Sequence, residues 1–241
     1  MQLGKISGYI LFSYERRSII NNITQNFSRF IKQQGVIKVR TNVGTNVGTL
    51  GRFISNLCGE FNNDRQIEEE MKAGQVSSPK AKHINQVCND KIENLPDGFK
   101  GYFVIEESYY EVGGRKNILP HLFLFDLNEE GKVVLTSYEL PEGVKKEEFR
   151  NDNEALKMDY NHLKKSEKFN PMVYEAKEEA FEGASISDFG NGLIFTLKEK
   201  TTPRTLEVSE IFERNGKKTF GFDSPIIYDR QDSYKESRTR I

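Results

Sequence analysis

The feature that most constrains this chain is a series of short apolar segments separated by turn residues in its second half. Ile118–Leu127 and Lys132–Leu140 flank the turn Asn128–Gly131, and Asn215-Gly216 is a strong hairpin turn. Strands at this spacing predict a mainly β protein, an antiparallel sandwich or barrel. The other predicted strands are Tyr102–Glu111, Pro171–Ala176, Glu179–Ser185, Gly192–Leu197, Thr205–Phe212 and Lys217–Phe222.

The N-terminal part differs from the rest of the chain in charge and pattern. Residues 1–57 hold eight basic residues and one acid, whereas the 241-residue chain has a net charge of -1. Apolar residues at helical spacing from Ile19 to Ile31 predict an amphipathic helix. The Asn-Val-Gly-Thr repeat in Thr41–Thr49 predicts a flexible linker. We therefore predict an N-terminal extension over 1–49, a β domain over 50–228 and a polar, frayed tail over 229–241.

Two short helices are predicted where the β domain begins, one around Phe53–Cys58 and one around Glu68–Met71. The segment Gln75–Lys82 reads as a loop, and Asp152–Lys165 fits either a helix or an exposed strand. The acid-poor extension has the composition of an organelle transit peptide. The alternative is a basic helix and loop beside the domain, so the predicted location is the cytoplasm, or a plastid or other organelle.

Composition excludes several classes of function. No apolar run approaches the ~20 residues of a membrane-spanning helix, and the balanced charge argues against a generally basic nucleic-acid binder. The two cysteines and three histidines have no metal-ligand spacing, so we expect no metal. The glycines of the repeat lack the ending of a phosphate loop, so we expect no nucleotide.

The strand Tyr102–Glu111 is the segment that suggests a ligand site. If its residues alternate, each face combines aromatic rings with one carboxylate, Glu106 on one side and Glu107 on the other. That pattern suits a polar-lined pocket, because small antiparallel barrels hold one ligand in their mouth or lumen. It suits a half-exposed strand equally well.

Several segments then resemble one protein family. Leu57, Gly59, Phe61, Asn63 and Gln66 are spaced as in the N-terminal signature Leu-x-Gly-x-Phe-x-Asn-x-x-Gln of the CpcT/CpeT phycobiliprotein chromophore lyases. Further pieces follow in the family's order over about residues 50 to 230. They are His83-Ile84, Tyr102–Tyr109, Leu135–Leu140, the hairpin ending Phe181-Glu182-Gly183, Thr205–Glu210 and Phe220–Pro225.

The resemblance implies a fold and an activity. The fold would be a lipocalin-like antiparallel calyx with N-terminal helices. The activity would be that of a lyase, which binds a bilin, an open-chain tetrapyrrole, and attaches it through a thioether to a cysteine of a phycobiliprotein subunit. The acceptor thiol belongs to the partner protein, so Cys58 and Cys88 are expected to be small buried residues.

The resemblance implies a bilin as the ligand, and the chemical groups of a bilin indicate which residues would bind it. Its pyrrole nitrogens favour a carboxylate, for which we predict Glu106 as the catalytic residue, and its propionates need cations. The predicted ligand-binding residues are Arg65, His83, Tyr109, Arg115 and Tyr138. The residues predicted to be structural are Gly59, Phe61, Asn63, Gln66 and Glu210, of which Asn63 and Gln66 would brace the joint between helix and barrel.

Two alternatives stay open at this point. The arginine-rich strand of the family is replaced here by Asn117–His121, which favours a carrier that binds a small apolar ligand without transferring it. The second alternative is a barrel filled with side chains that serves as an interaction module. The oligomeric state is also open, with a homodimer among the alternatives.

Overall fold

The computed structural model describes residues 43–112 and 114–231, which form an antiparallel β-barrel and two α-helices. The helices are α1 (Val43–Leu57) and α2 (Asp64–Lys72). The strands are β1 (Gly59–Asn62), β2 (Lys80–Val87), β3 (Ile92–Glu93), β4 (Tyr102–Val112), β5 (Arg115–Leu127), β6 (Val133–Tyr138), β7 (Met158–Asp159), β8 (Met172–Lys177), β9 (Ala180–Asp188), β10 (Leu193–Thr201), β11 (Thr205–Arg214), β12 (Lys217–Phe220) and β13 (Ile226–Arg230).

Ten of these strands close into a ring. Their order is β10-β9-β8-β6-β5-β4-β2-β1-β13-β11, and β11 returns to pair with β10 over nine residue pairs. Strand β12 pairs antiparallel with the end of β11, and β3 pairs with β7 in parallel outside the barrel. The prediction of a mainly β, antiparallel barrel is confirmed. Closure removes the exposed edges that such short strands would otherwise leave.

Helix α1 closes one end of the barrel. Its apolar side chains, Leu50, Phe53, Ile54 and Leu57, are buried in the core formed by the inward faces of the strands. The ring of Phe53 lies 4.6 Å from that of Tyr174, measured between centroids. Neither helix in the described ranges has the length and apolar character needed to cross a membrane.

The linker predicted over Thr41–Thr49 is wrong from Val43 onward, where α1 begins. Asn and Gly have low helix propensity, but the helix continues into Phe53 and Leu57, whose burial in the barrel stabilises it. The loop predicted over Gln75–Lys82 gives way to β2 at Lys80. The helix predicted over Ile19–Ile31 lies outside the described residues.

The frayed tail predicted from Asp229 is corrected as well, because Asp229 and Arg230 belong to β13. The Arg230 guanidinium lies 4.6 Å from the centre of the Phe61 ring and donates hydrogen bonds to the carbonyls of Ser55 and Asn56 near the end of α1. These contacts fix the last strand, and the rest of the tail, from residue 232, lies outside the described residues.

A second core lies on the outer face of β4, β5 and β6. The connection between β6 and β8, residues 139–171, crosses this face, and we call it the strap. Its region predicted as helix or exposed strand, Asp152–Lys165, forms only the short strand β7 and one turn of 3-10 helix, Tyr160–His162. The strap buries three apolar side chains against the sheet, namely Phe149, Leu156 and Met158.

Candidate functional site: the barrel lumen and its mouth

The lumen of the barrel contains a layer of buried polar side chains. Paired residues in an antiparallel sheet share a face, so the register places Glu106, opposite Asn85 and His121, on the inner face of β4. The α1 end of the lumen is apolar, and the opposite end is the mouth. The polar side chains between them include His83, Asn85, Glu106, Ser108, Tyr174, Glu199 and Tyr228.

His83 and Glu106 form the centre of this layer. His83 Nδ1 lies 3.5 Å from Glu106 Oε2, with side-chain exposures of 3% and 11%. Burial opposes both charges, but the Glu106 carboxylate outweighs burial and raises the pKa of His83. In the same way His83 holds the pKa of Glu106 below its ordinary value. The two side chains therefore act as a buried ion pair.

Two further carboxyl groups face the same lumen. The Tyr174 hydroxyl donates a hydrogen bond to Glu199 Oε2, and the Tyr110 hydroxyl donates to Glu210 Oε2 at 3.3 Å. Burial, together with the nearby Glu106 charge, raises the pKa of Glu199 to about 8. The same two causes raise the pKa of Glu210. These two groups therefore hold protons under conditions in which Glu106 is ionised.

Several buried polar atoms of the layer have no hydrogen-bond partner within the described residues. They are both ring nitrogens of His83, Asn85 Oδ1 and Thr201 Oγ1. A buried polar group without a partner costs roughly 1–3 kcal/mol. Most buried polar groups in folded proteins are hydrogen-bonded, so this cluster of unpartnered atoms is unusual and destabilises the folded barrel. Such clusters are candidates for function.

A groove of about 440 Å³ lies at the mouth. Its apolar wall includes Tyr110, Leu119, Phe220 and Phe222, and its charged residues are Lys116, Lys146, Glu147 and Arg150. Tyr110, Phe220 and Phe222 also line a narrow crevice that reaches Glu210. The groove thus adjoins one carboxyl group of the lumen, that of Glu210.

The cations of the groove differ in their partners. Arg150 Nε donates to Asp152 Oδ1 at 3.0 Å. Lys116 and Lys146 form no ion pair within residues 43–112 and 114–231. Lys146 and the histidine ring of His121 interact electrostatically, and burial together with nearby charge lowers the pKa of that histidine. An amphipathic anion would therefore meet two uncompensated ammonium groups beside an aromatic wall.

The structure brings some of the predicted residues together and separates others. Glu106 and His83 meet in the lumen, where Glu210 joins them. Tyr109 and Tyr138 lie on the outer face of the sheet. The Tyr109 hydroxyl donates to Glu107 Oε2, and the ring of Tyr138 packs 5.2 Å from that of Phe103.

The two predicted arginines do not line the groove. Arg65 lies on α2, where its Nε is 2.8 Å from Asp229 Oδ2 and its Nη1 is 3.1 Å from Glu69 Oε1. Arg115 is exposed at the start of β5. Its neighbour Lys116 lines the groove instead.

Of the five residues predicted as structural, four have backbone or packing roles, and the fifth, Glu210, faces the lumen instead. Asn63 Oδ1 accepts a bond from the Ala81 backbone at 2.8 Å, and its Nδ2 donates to the Pro79 carbonyl at 2.8 Å. Gln66 bonds to the backbone at Pro225 and Ile227. Phe61 is fully buried, and Gly59 adopts φ 150°, a conformation that favours glycine.

Sequence reasoning missed Glu199, Lys116, Lys146 and Arg150. Glu199 had a signal, because it shares the inward parity of Phe195 and Leu197 along β10. The strap residues had none, because their position depends on a connection without regular structure.

No protein-family model matches the chain, and a search of the curated proteins returned no match. Within the described ranges, no group of three or more His, Cys, Asp or Glu side chains is placed to hold a metal ion.

Proposed function

We propose that this protein is a lipocalin-like calyx of the chromophore-lyase type. It binds a bilin in the groove at the barrel mouth and presents it to a cysteine of a phycobiliprotein subunit or a similar acceptor. The observation that carries the proposal is the groove itself, which joins an aromatic wall to Lys116 and Lys146, neither ion-paired among the described residues, next to the lumen carboxyl group of Glu210.

The chemistry of a bilin matches these three features. Its two propionates pair with ammonium groups, its flat conjugated rings pack on aromatic side chains, and its pyrrole N–H groups donate to carboxyl oxygens. In this proposal Lys116 and Lys146 hold the propionates, Phe220 and Phe222 form the wall, and Glu210 accepts from the pyrroles. Glu106, the predicted nitrogen partner, lies deeper in the lumen and lines neither the groove nor the crevice, so in this proposal it acts through its charge, which adds to the effect of burial in raising the pKa of Glu210.

The size and the shape of the groove also fit transfer. A volume of about 440 Å³ lies within the ~300–1,000 Å³ of small-molecule sites. The groove is open to solvent along one side, so part of a bound pigment would stay accessible to the thiol of a second protein.

The transfer of the pigment to the acceptor is a single addition reaction. The acceptor thiolate attacks an exocyclic double bond of the pigment, a C–S bond forms, and an adjacent carbon takes up a proton. The barrel holds the pigment in a fixed position, which lowers the entropic cost of that encounter. Glu210 is the proposed proton source, because its pKa is raised and it lines the crevice beneath the groove.

The test is an absorbance and fluorescence titration of the purified full chain with biliverdin. We expect a sharpened, red-shifted band, and weaker binding in the Lys116→Gln/Lys146→Gln double variant. Lys198→Gln is the control, because Lys198 is exposed on the outer face of β10. An unchanged spectrum would contradict the proposal and favour the filled-barrel interaction module.

A second assay separates a lyase from a carrier. The loaded protein is mixed with an acceptor subunit, and with the same subunit after its acceptor cysteine is replaced by serine. A lyase gives a pigment that stays on the cysteine form under denaturing conditions. Binding without covalent transfer would favour the carrier.

A further inference from the structure

The strap contributes both to the second core and to the groove. Its side chains Phe149 and Leu156 are buried on the outer face of β4 and β5. Between them, Arg150 belongs to the wall of the groove, and Lys146, four residues earlier in the chain, lines the same wall. One segment therefore carries two of the groove's cations while it is anchored on the outside of the barrel.

The anchor is a hydrogen-bonded contact between Glu107 and Asn151, which we call the latch. Glu107 Oε1 accepts two bonds from Asn151, from the backbone N and from Nδ2, both at 2.8 Å. Asn151 Nδ2 also lies 3.2 Å from the Ile105 carbonyl and 3.3 Å from that of Ile84. Both latch residues are buried. The latch thus ties the strap to the backbone of β2 and β4.

The latch fixes the neighbouring cation directly. Arg150 precedes Asn151 in the chain, and its Nη2 lies 3.7 Å from Glu107 Oε2. Its guanidinium carbon lies 6.0 Å from the centre of the Tyr109 ring. Because Arg150 is held on two sides, its position in the groove depends on where the latch holds the strap.

We infer that Asn151, held by Glu107, is a positioning residue that makes the groove select amphipathic ligands with free carboxylates over ligands in which those groups are esterified. The inference rests on the proposed function and deepens it. Asn151 does not line the groove and acts through Lys146 and Arg150. A ligand without negative charge would gain nothing from the position of these cations.

The experiment compares biliverdin with its dimethyl ester, which keeps the ring system and removes both charges. Dissociation constants are measured for the full chain as wild type, Asn151→Ala, Lys146→Gln/Arg150→Gln and the triple variant. We expect Asn151→Ala to weaken biliverdin binding about fivefold, the size of one partly exposed charge pair. Binding of the ester should stay within about twofold of wild type, which is the precision of such constants.

The triple variant tests whether Asn151 acts through the cations. If it does, Asn151→Ala causes no further loss of biliverdin affinity once Lys146 and Arg150 are replaced. Residues that act through one another give effects on affinity that are not additive. Asn151→Ser is the second variant if the alanine form fails to fold. Glu154→Ala is the control, because Glu154 is exposed on the same strap.

Each remaining outcome decides between the two proposals. Equal weakening of acid and ester by Asn151→Ala, or an additive loss in the triple variant, would overturn the inference and leave the proposed function in place. The same holds if the variant binds biliverdin like the wild type. Wild-type protein that binds neither ligand would overturn the proposed function, and the inference with it.

Discussion

Glu106 and Glu107 are neighbours in sequence, and both are buried, yet they occupy opposite faces of β4 and have opposite surroundings. Glu107 lies under the strap, where Asn151 and Tyr109 supply three hydrogen bonds to its carboxylate. Glu106 lies in the lumen, where Ser108 donates one bond at 3.2 Å and His83 lies at 3.5 Å.

The difference teaches how to separate a structural carboxylate from a functional one. On the outer face every oxygen of Glu107 has a donor, as expected where a buried charge serves the fold. The lumen keeps five buried polar atoms without partners among the described residues, including both ring nitrogens of His83, whereas beside Glu107 only Asn151 Oδ1 is left without one. Burial alone therefore does not mark a site. The number of unused hydrogen-bonding groups around the charge does.

The largest expected effect is on the outer face. Glu107→Ala removes the acceptor of two buried Asn151 donors and should lower the free energy of unfolding by about 3 kcal/mol. Urea denaturation followed by circular dichroism measures this change. Glu111→Ala, an exposed glutamate on the same strand, is the control and should change stability by less than about 0.5 kcal/mol. Equal effects of the two variants would show that the latch is not a structural contact.

The next effect concerns the packing of the lumen. A Cβ on Gly183 would lie 2.9 Å from Tyr174 Cδ1, so Gly183→Ala must displace the ring that bonds to Glu199. We expect a loss of about 2 kcal/mol in the same denaturation assay. Gly51→Ala makes the same change in α1, where nothing lies within 4 Å, and should stabilise the protein by about 0.5 kcal/mol or more. A stable Gly183→Ala protein would contradict the tight packing of Tyr174.

The third effect, smaller when expressed per pH unit, is the pH dependence of stability. Because the pKa of Glu199 rises from 4.5 to about 8 on folding, the folded state holds an extra proton between these values. Stability must then fall as pH rises through that window, by up to about 1.4 kcal/mol per pH unit. Glu199→Gln mimics the protonated group and should flatten this slope. An unchanged slope between pH 5 and 8 would show that Glu199 does not titrate there.

The smallest effect tests the ion pair of the lumen. Glu106→Gln removes the carboxylate that raises the pKa of His83, so burial prevails and the titration midpoint of His83 should fall. Proton NMR of the imidazole rings measures this midpoint. The exposed His162 serves as the internal reference, because its ring lies outside the lumen. A midpoint that stays in place would argue against the Glu106–His83 pair.

The sequence predicted most of the barrel strands because their signals are local. Alternating residues and turns such as Asn215-Gly216 specify strands and hairpins over a few residues. The predictions from sequence were wrong at Val43–Thr49 and at Asp229-Arg230, where the composition favours disorder but the structure has a helix and a strand. In both places long-range contacts decide, since α1 inserts Phe53 into the barrel and Arg230 binds the end of α1.

For the candidate site, the sequence by itself determined that Glu106 and Glu107 face opposite sides of one strand, because alternation is a property of the extended backbone. Which side is the lumen was decided only by closure of the barrel, through pairings between residues as distant as Phe61 and Arg230. The position of the groove depends on further tertiary contacts. Lys116 reaches it from a hairpin, while Lys146 and Arg150 reach it from a strap without regular structure, which local patterns cannot place.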